Sequence, residues 1–345
     1  MLGSPISIPA RRRMESEMRT IHLALALSSM ALAAHAETPV LTVLTYDSFT
    51  AEWGPGPAIE AGFEATCACD LQWVTGGDGA AILARLKLEG AQTDVDVVVG
   101  LDTSLTENAS KTGLFAPHGL SLANDLPVPF ADPLFIPFDW GWFAFVYDNT
   151  KLATPPTSFA ELAASPLKIV IQDPRSSTPG LGLLMWVKAV YGADSAAFWT
   201  NLADNILTVT PSWDQAYGLF LSGEADMVLS YTTSPAYHLI AEQDATKSAA
   251  LFSDGHYMQV EVAGMLASGD TPDLARAFLT YLGSDEAQAV LPTTNWMYPA
   301  KTPAQGLPAG FETMINPGKS LLFSATEAEE GRQAAVEEWQ TILSR

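Results

Sequence analysis

The chain has 345 residues, 48% of them hydrophobic and only 16% charged, with 17 Lys+Arg against 39 Asp+Glu and a formal net charge of -22. That length suggests about two domains, each large enough to bury its own core. The acidic balance excludes a nucleic-acid surface and docking on anionic lipid, both of which need clustered Lys and Arg. Apolar residues are spread along the chain, which excludes wholesale disorder, and past residue 36 no apolar run reaches the roughly 18 residues needed to span a bilayer.

The N-terminus reads as an export signal. Thr20 to Ala33 form a short apolar segment, preceded by Arg11, Arg12, Arg13 and Arg19 and followed by the small-x-small triplet Ala34-His35-Ala36. Cleavage is expected after Ala36, and a compact signal would begin at Met18. Removing residues 1–36 takes away four Arg and two Glu, leaving 13 basic and 37 acidic residues, a net of -24. The first cysteine is Cys67, so the cleavage point lacks the cysteine a lipid anchor requires. A freely diffusing periplasmic protein without a membrane anchor is expected. Cys67 and Cys69 are too few for a structural zinc site of about four ligands. In an oxidising compartment they either stay as thiols or close a small local disulfide, which one intervening residue would strain. The five histidines are scattered with no i,i+4 pair, and neither a metal nor a cofactor is expected.

Past the signal, short β-branched runs alternate with amphipathic segments, the pattern of βαβ units around mostly parallel sheets. Strands are expected at 40–45, 70–74, 95–99, 143–147, 168–171, 206–209, 227–230 and 260–263. Between them Ile82, Leu83 and Leu86 share one helix face, as do Leu274, Phe278 and Leu282. A helix is expected from Leu181 to Tyr191, and Ala335, Val336, Trp339 and Leu343 mark a C-terminal one. No Gly/Pro/Ser-rich linker separates two domains, so two lobes would be joined by strands, with crossovers best placed at 137–147 and 255–263. The lobes expected are 37–138 plus 260–345, and 139–259.

In open α/β sheets ligands bind beyond the carboxyl ends of the strands. Those ends carry Tyr46-Asp47-Ser48-Phe49, Gly76-Gly77-Asp78-Gly79, Asp102, the run Gln172 to Gly180, and Tyr231 to Tyr237. Singly, each reads as well as a turn or a helix cap. Together their chemistry is coherent. Ser177 and Thr178, ahead of Pro179 and a helix, offer hydroxyls and N–H groups to an anion. Tyr46, Trp213, Tyr231, Tyr237 and Trp296 offer faces that stack on flat rings or cations, each cation contact worth roughly 0.5 to 2 kcal/mol. Asp78 could accept hydrogen bonds from an amino group, and Asp47, Asp102 or Asp139 could balance a positive charge. The ligand implied is planar, cationic and compatible with a phosphate. The competing reading puts the aromatics in the core.

The runs TYDSF (45–49), EWGPGP (52–57), SKTGLFA (110–116), QDPRSSTPGLGLL (172–184), AYGLFLSGEADMVLSYTTSPAYH (216–238) and NWMYP (295–299) closely resemble the periplasmic thiamine-binding proteins of bacterial ABC transporters, in the same order over essentially the whole mature chain. The resemblance implies a two-lobed α/β fold of the type II periplasmic-binding-protein class, its lobes joined by crossover strands. It implies delivery of thiamine, thiamine monophosphate and thiamine diphosphate to a membrane permease driven by a cytoplasmic ATPase, by a protein expected to be a monomer. Carried over by motif, the ligand contacts fall on Tyr46, Asp78, Gly79, Ser177, Thr178, Trp213, Tyr231, Thr232, Thr233, Ser234, Tyr237 and Trp296.

Two other classes compete. Type I thiaminases resemble these proteins and use a cleft cysteine, but Cys67 and Cys69 precede the strand at 70–74 and so should lie at its amino end, away from the crevice. No G-x-S-x-G, G-x-x-x-x-G-K-[ST] or H-E-x-x-H motif supports another enzyme. A binding protein for a polyamine or ferric iron is the second alternative, with Tyr231 and Tyr237 as candidate iron ligands.

Overall fold

A computed structural model describes residue 3 and residues 38–343; the expected signal peptide lies outside the described residues. The chain first builds β1 (Val40–Thr45), α1 (Gly56–Cys67), β2 (Asp70–Thr75), α2 (Gly79–Glu89), β3 (Val97–Asp102) and the short α3 (Thr106–Ser110). It crosses on β4 (Phe135–Asp148) and continues through α4 (Phe159–Ala164), β5 (Ile169–Gln172), α5 (Thr178–Tyr191), α6 (Ser195–Leu202), β6 (Ile206–Thr210), α7 (Trp213–Leu221), β7 (Met227–Tyr231), α8 (Pro235–Ala241) and β8 (Lys247–Ala249). It returns on β9 (His256–Met265) and ends with α9 (Pro272–Leu282), α10 (Asp285–Thr294), β10 (Tyr298–Pro299), β11 (Ser320–Leu321) and α11 (Ala325–Leu343).

The main strands run in the order β2-β1-β3-β9-β4-β7-β5-β6. Among these main strands parallel pairing lies at the flanks, β2 and β3 on β1 and β6 and β7 on β5, while the short β11 adds a parallel pair on β9. The centre is antiparallel, β9 pairing with β3 and β4, and β4 with β7. A mostly parallel arrangement therefore describes the βαβ flanks alone, because the two strands that carry the chain across and back oppose their neighbours.

β4 is far longer than the strand expected at 143–147. It fills the crossover expected at 137–147 and starts two residues before it, at Phe135, with a bulge between Pro137 and Asp139 that absorbs the proline. A second bulge, between Val99 and Leu101, falls at Gly100. Gly100 has φ +100, and a Cβ there would lie 2.2 Å from the Tyr46 ring, so only glycine lets that ring close onto β3.

α5 starts at Thr178, three residues ahead of expectation. Ser177 is extended at the cap position and Pro179 sits in the first turn, where its fixed φ favours the helix and its missing N–H costs nothing. Gly192, at φ +55, ends it. Its buried Trp186 packs among Phe145, Phe159 and Phe252, with the indole N–H donated to the Gly255 carbonyl at 2.8 Å. α11 packs on α5 and α6 as well as on α3, and Glu338 accepts from Lys188 and Ser195. Cys67 and Cys69 are joined in a disulfide at the amino end of β2, with Ala68 between them in the left-handed region.

Candidate functional site

A cavity of about 460 Å³ opens at the carboxyl ends of β1 and β7, a size suited to a small organic ligand. Its wall includes seven aromatic side chains: Tyr46, Trp53, Trp213, Tyr217, Tyr231, Tyr237 and Trp296. Three carboxylic acids, Asp78, Asp214 and Glu261, line it, and among the described residues no Lys, Arg or His does.

Asp78 joins the two sides of the cavity. It stands ahead of α2, and its Oδ2 accepts from the Ser177 hydroxyl at 2.6 Å and the Trp213 amide at 3.2 Å. Burial pushes its carboxyl up to about 6, with those two donors acting against the rise. Beside it the Gly79 amide donates to Thr178 Oγ1 at 3.2 Å. A Cβ at residue 79 would lie 2.7 Å from the Gly100 carbonyl and 2.8 Å from Thr178 Oγ1, so glycine is what lets α2 and α5 start this close together.

The aromatic groups are held from behind. The Trp213 indole N–H donates to Ser230 Oγ at 2.8 Å, and its ring stacks on Tyr217 at 5.1 Å. The Tyr217 hydroxyl meets His238 Nε2 at 2.9 Å, while His238 Nδ1 is 2.6 Å from Glu242 Oε2. With Asp244 these form a cluster of potential metal ligands that the scattered histidines did not suggest, but both ring nitrogens of His238 already have protein partners. Trp296, directly after the Asn295 cap of α10, has φ +56, a left-handed conformation that costs a non-glycine residue on the order of 1 kcal/mol or more. That conformation sets its ring edge-on to Tyr237 at 5.4 Å on the cavity wall.

Of the twelve residues singled out by sequence, Tyr46, Asp78, Thr178, Trp213, Tyr231, Ser234, Tyr237 and Trp296 line the cavity. Gly79, Ser177, Thr232 and Thr233 stand behind it. Ser177 holds Asp78, Thr232 is fully buried with its amide on the Trp142 carbonyl, and the Thr233 hydroxyl points to Met297 Sδ. Of the suggested counter-charges, Asp47 receives the Gly77 amide outside the cavity, and Asp102 and Asp139 are buried beneath it. Sequence reasoning missed Glu261, Asn295, Tyr217 and Trp53. Asn295, Tyr217 and Trp53 stand inside quoted motifs, whereas the one signal for Glu261 is an acid in the middle of the apolar run of β9.

The family model described as bacterial extracellular solute-binding protein matches residues 49–289. The chain is 51% identical over 310 residues to the thiamine-binding periplasmic protein of Escherichia coli (strain K12), covering 89% of this chain and 94% of that one. To the thiamine-binding periplasmic protein of Brucella melitensis biotype 1 it is 47% identical over 323 residues, 93% and 96% of the two chains. Among solved structures, a periplasmic thiamin binding protein superimposes with a TM-score of 0.87 at 50% identity, over 89% of this chain and 97% of that one.

Proposed function

The chain belongs to the bacterial extracellular solute-binding protein family, and on that premise we propose that it captures thiamine in the periplasm and delivers it to the permease of an ABC transporter driven by a cytoplasmic ATPase. The observation that carries this reading is the lining of the cavity, with seven aromatic faces, three carboxylic acids and no basic side chain. Such a lining suits a flat, cationic two-ring molecule, since rings and cations both gain from aromatic faces and the acids supply the opposite charge. The phosphate esters extend the proposal: in thiamine monophosphate and diphosphate the phosphate end lies toward Thr178 and the start of α5, where N–H groups face outward.

Capture in this proposal works by closure. Residues 37–138 with 260–345 form one lobe and 139–259 the other, joined through β4 and β9. On that division the bonds of Asp78 to Ser177 and Trp213, and of Gly79 to Thr178, run from one lobe to the other, which supports a closed arrangement held across the cavity. Ligand stabilises that arrangement by binding it more tightly than the open one. The role is binding without chemistry: Cys67 and Cys69 are tied to each other and do not line the cavity, which removes the thiol a thiaminase would use. Ferric iron is disfavoured, because the Tyr231 hydroxyl is committed to Gln259 at 2.8 Å and the Tyr237 ring packs on Trp296.

Calorimetric titration of refolded 37–345 with thiamine, its two phosphates, spermidine and ferric citrate, with the recovered ligand checked by mass spectrometry, tests the reading. Tight 1:1 binding of intact thiamine is expected. Tighter binding of spermidine or iron, or cleaved thiamine, would overturn it. Small-angle scattering should show compaction with saturating thiamine, and an unchanged radius would remove the hinge.

A further inference from the structure

The floor of the cavity holds more acid than its wall displays. Glu261 on β9 pairs directly with Asp102 on β3 and with Asp139 on β4, so three carboxylic acids stand side by side on three adjacent strands. Both alignments depend on bulges. Without the bulge at Gly100, Leu101 would oppose Glu261, and without the one between Pro137 and Asp139, Phe138 would. Two independent irregularities thus select an acid where the regular ladder would place an apolar residue, and bulges of this kind re-aim side chains at functional sites.

The row has no cationic partner. None of the ion pairs among the described residues includes these three acids, and no Lys, Arg or His lines the cavity above. The groups facing the row are Tyr46, which donates to Glu261 Oε2 at 3.0 Å, Gln259, which donates to Glu261 Oε1 at 2.6 Å, and Asn295, which donates to Asp139 Oδ2 at 2.6 Å. Asp78 lies within its field, as does Tyr231, whose hydroxyl donates to Gln259 Oε1 at 2.8 Å, and the Ser104 amide donates to Asp102. Asp139 is fully buried and its Oδ1 has no partner. Burial raises the pKa of all three acids, that of Asp102 to about 7, and the like charge of Asp139 adds to the rise at Glu261. Asp139 and Glu261, adjacent, buried and without a base, titrate as a pair, and burial favours the protonated form of all three acids.

Resting on the thiamine reading, we infer that Glu261, with Asp102 and Asp139 behind it, is the counter-charge for the ligand's positively charged ring, and that capture of the cation expels a proton from this row. The step balances: a carboxylic O–H gives its proton to solvent, and the carboxylate left behind faces the ring cation. Affinity for thiamine then rises between about pH 5 and pH 8, because the cation binds the ionised row more tightly than the protonated one.

The test is calorimetric titration with thiamine at pH 7 in phosphate and in Tris, whose ionisation heats differ, on wild type and Glu261→Gln, with a neutral isostere carrying a thiophene ring in place of the thiazolium as the second ligand. The expected results are an enthalpy that depends on the buffer, showing proton release from wild type, and a smaller release from Glu261→Gln. Thiamine affinity should fall about tenfold in the variant, with much less change for the neutral isostere. Tight thiamine binding with no buffer dependence in wild type would overturn the coupling and leave the thiamine reading standing; absence of thiamine binding would remove both. Equal loss of both ligands in Glu261→Gln would make Glu261 a packing residue. The wild-type measurement decides the coupling even if the variant fails to fold.

Discussion

The wall and the floor of the cavity are built by different parts of the chain. Trp213, Tyr217, Tyr237 and Trp296 stand on the starts of α7 and α8 and on the end of α10, whereas Asp102, Glu261 and Asp139 stand on three hydrogen-bonded strands. A helix end is a local event, set by a cap residue and a few neighbours, and its aromatic side chain can be replaced while the backbone stays in place. A row across three strands is set by register, and a shift of one residue turns an acid into an apolar side chain. On the proposed reading, binding strength is concentrated in the wall, and charge selection in a floor that the fold itself must hold.

Four perturbations separate the two. The largest effect is expected from Gly100→Ala, where the new Cβ meets the Tyr46 ring and φ is +100. A stability loss of about 3 kcal/mol should appear in the denaturation midpoint, and an unchanged midpoint would mean that Tyr46 swings aside without cost. Trp213→Ala should leave the fold intact and weaken thiamine binding by about 2 kcal/mol, roughly 30-fold; unaltered affinity would move the ligand away from the wall.

The third effect is one of pH. Burial raises Asp78 to about 6 and Asp102 to about 7, above the unfolded value of about 4. The native state therefore holds more protons than the unfolded chain, and stability falls as pH rises through that window. The ligand-free protein should melt at a lower temperature at pH 8 than at pH 5.5, and Asp102→Asn should flatten the slope. A slope of opposite sign would rule out the protonated floor. The smallest effect is expected from Cys67→Ser with Cys69→Ser, which touches neither wall nor floor; thiamine affinity should stay within about twofold, and a large loss would bring the disulfide into the binding mechanism.

The same contrast governs what could be read from the sequence. The wall was legible because turns and caps announce themselves locally: Tyr46 follows a β-branched run, Tyr231 and Ser234 follow another, and Trp296 stands in a distinctive motif. The residues behind it were legible as motif members, but their positions were not, since only the close approach of α2 and α5 shows that Gly79 and Ser177 serve Asp78. The floor was scarcely legible. Asp102 and Asp139 could be named as possible counter-charges, but their alignment on Glu261 depends on strand order and two bulges, and neither follows from hydrophobic periodicity. The crossover at 137–147 was legible as a span, but the bulge at Pro137 that sets its register was not. α5 began early because a proline in a first turn supports a helix.

The account's central claim, that aromatic wall and acidic floor together hold one cationic two-ring ligand, is tested most directly by a crystal structure of residues 37–345 with thiamine. It predicts thiamine inside this cavity at 1:1, with an aromatic ring face within about 6 Å of a ligand ring and the positively charged ring turned toward Glu261. Thiamine on the outer surface, or in the cavity with its charged ring turned away from Glu261, would contradict it.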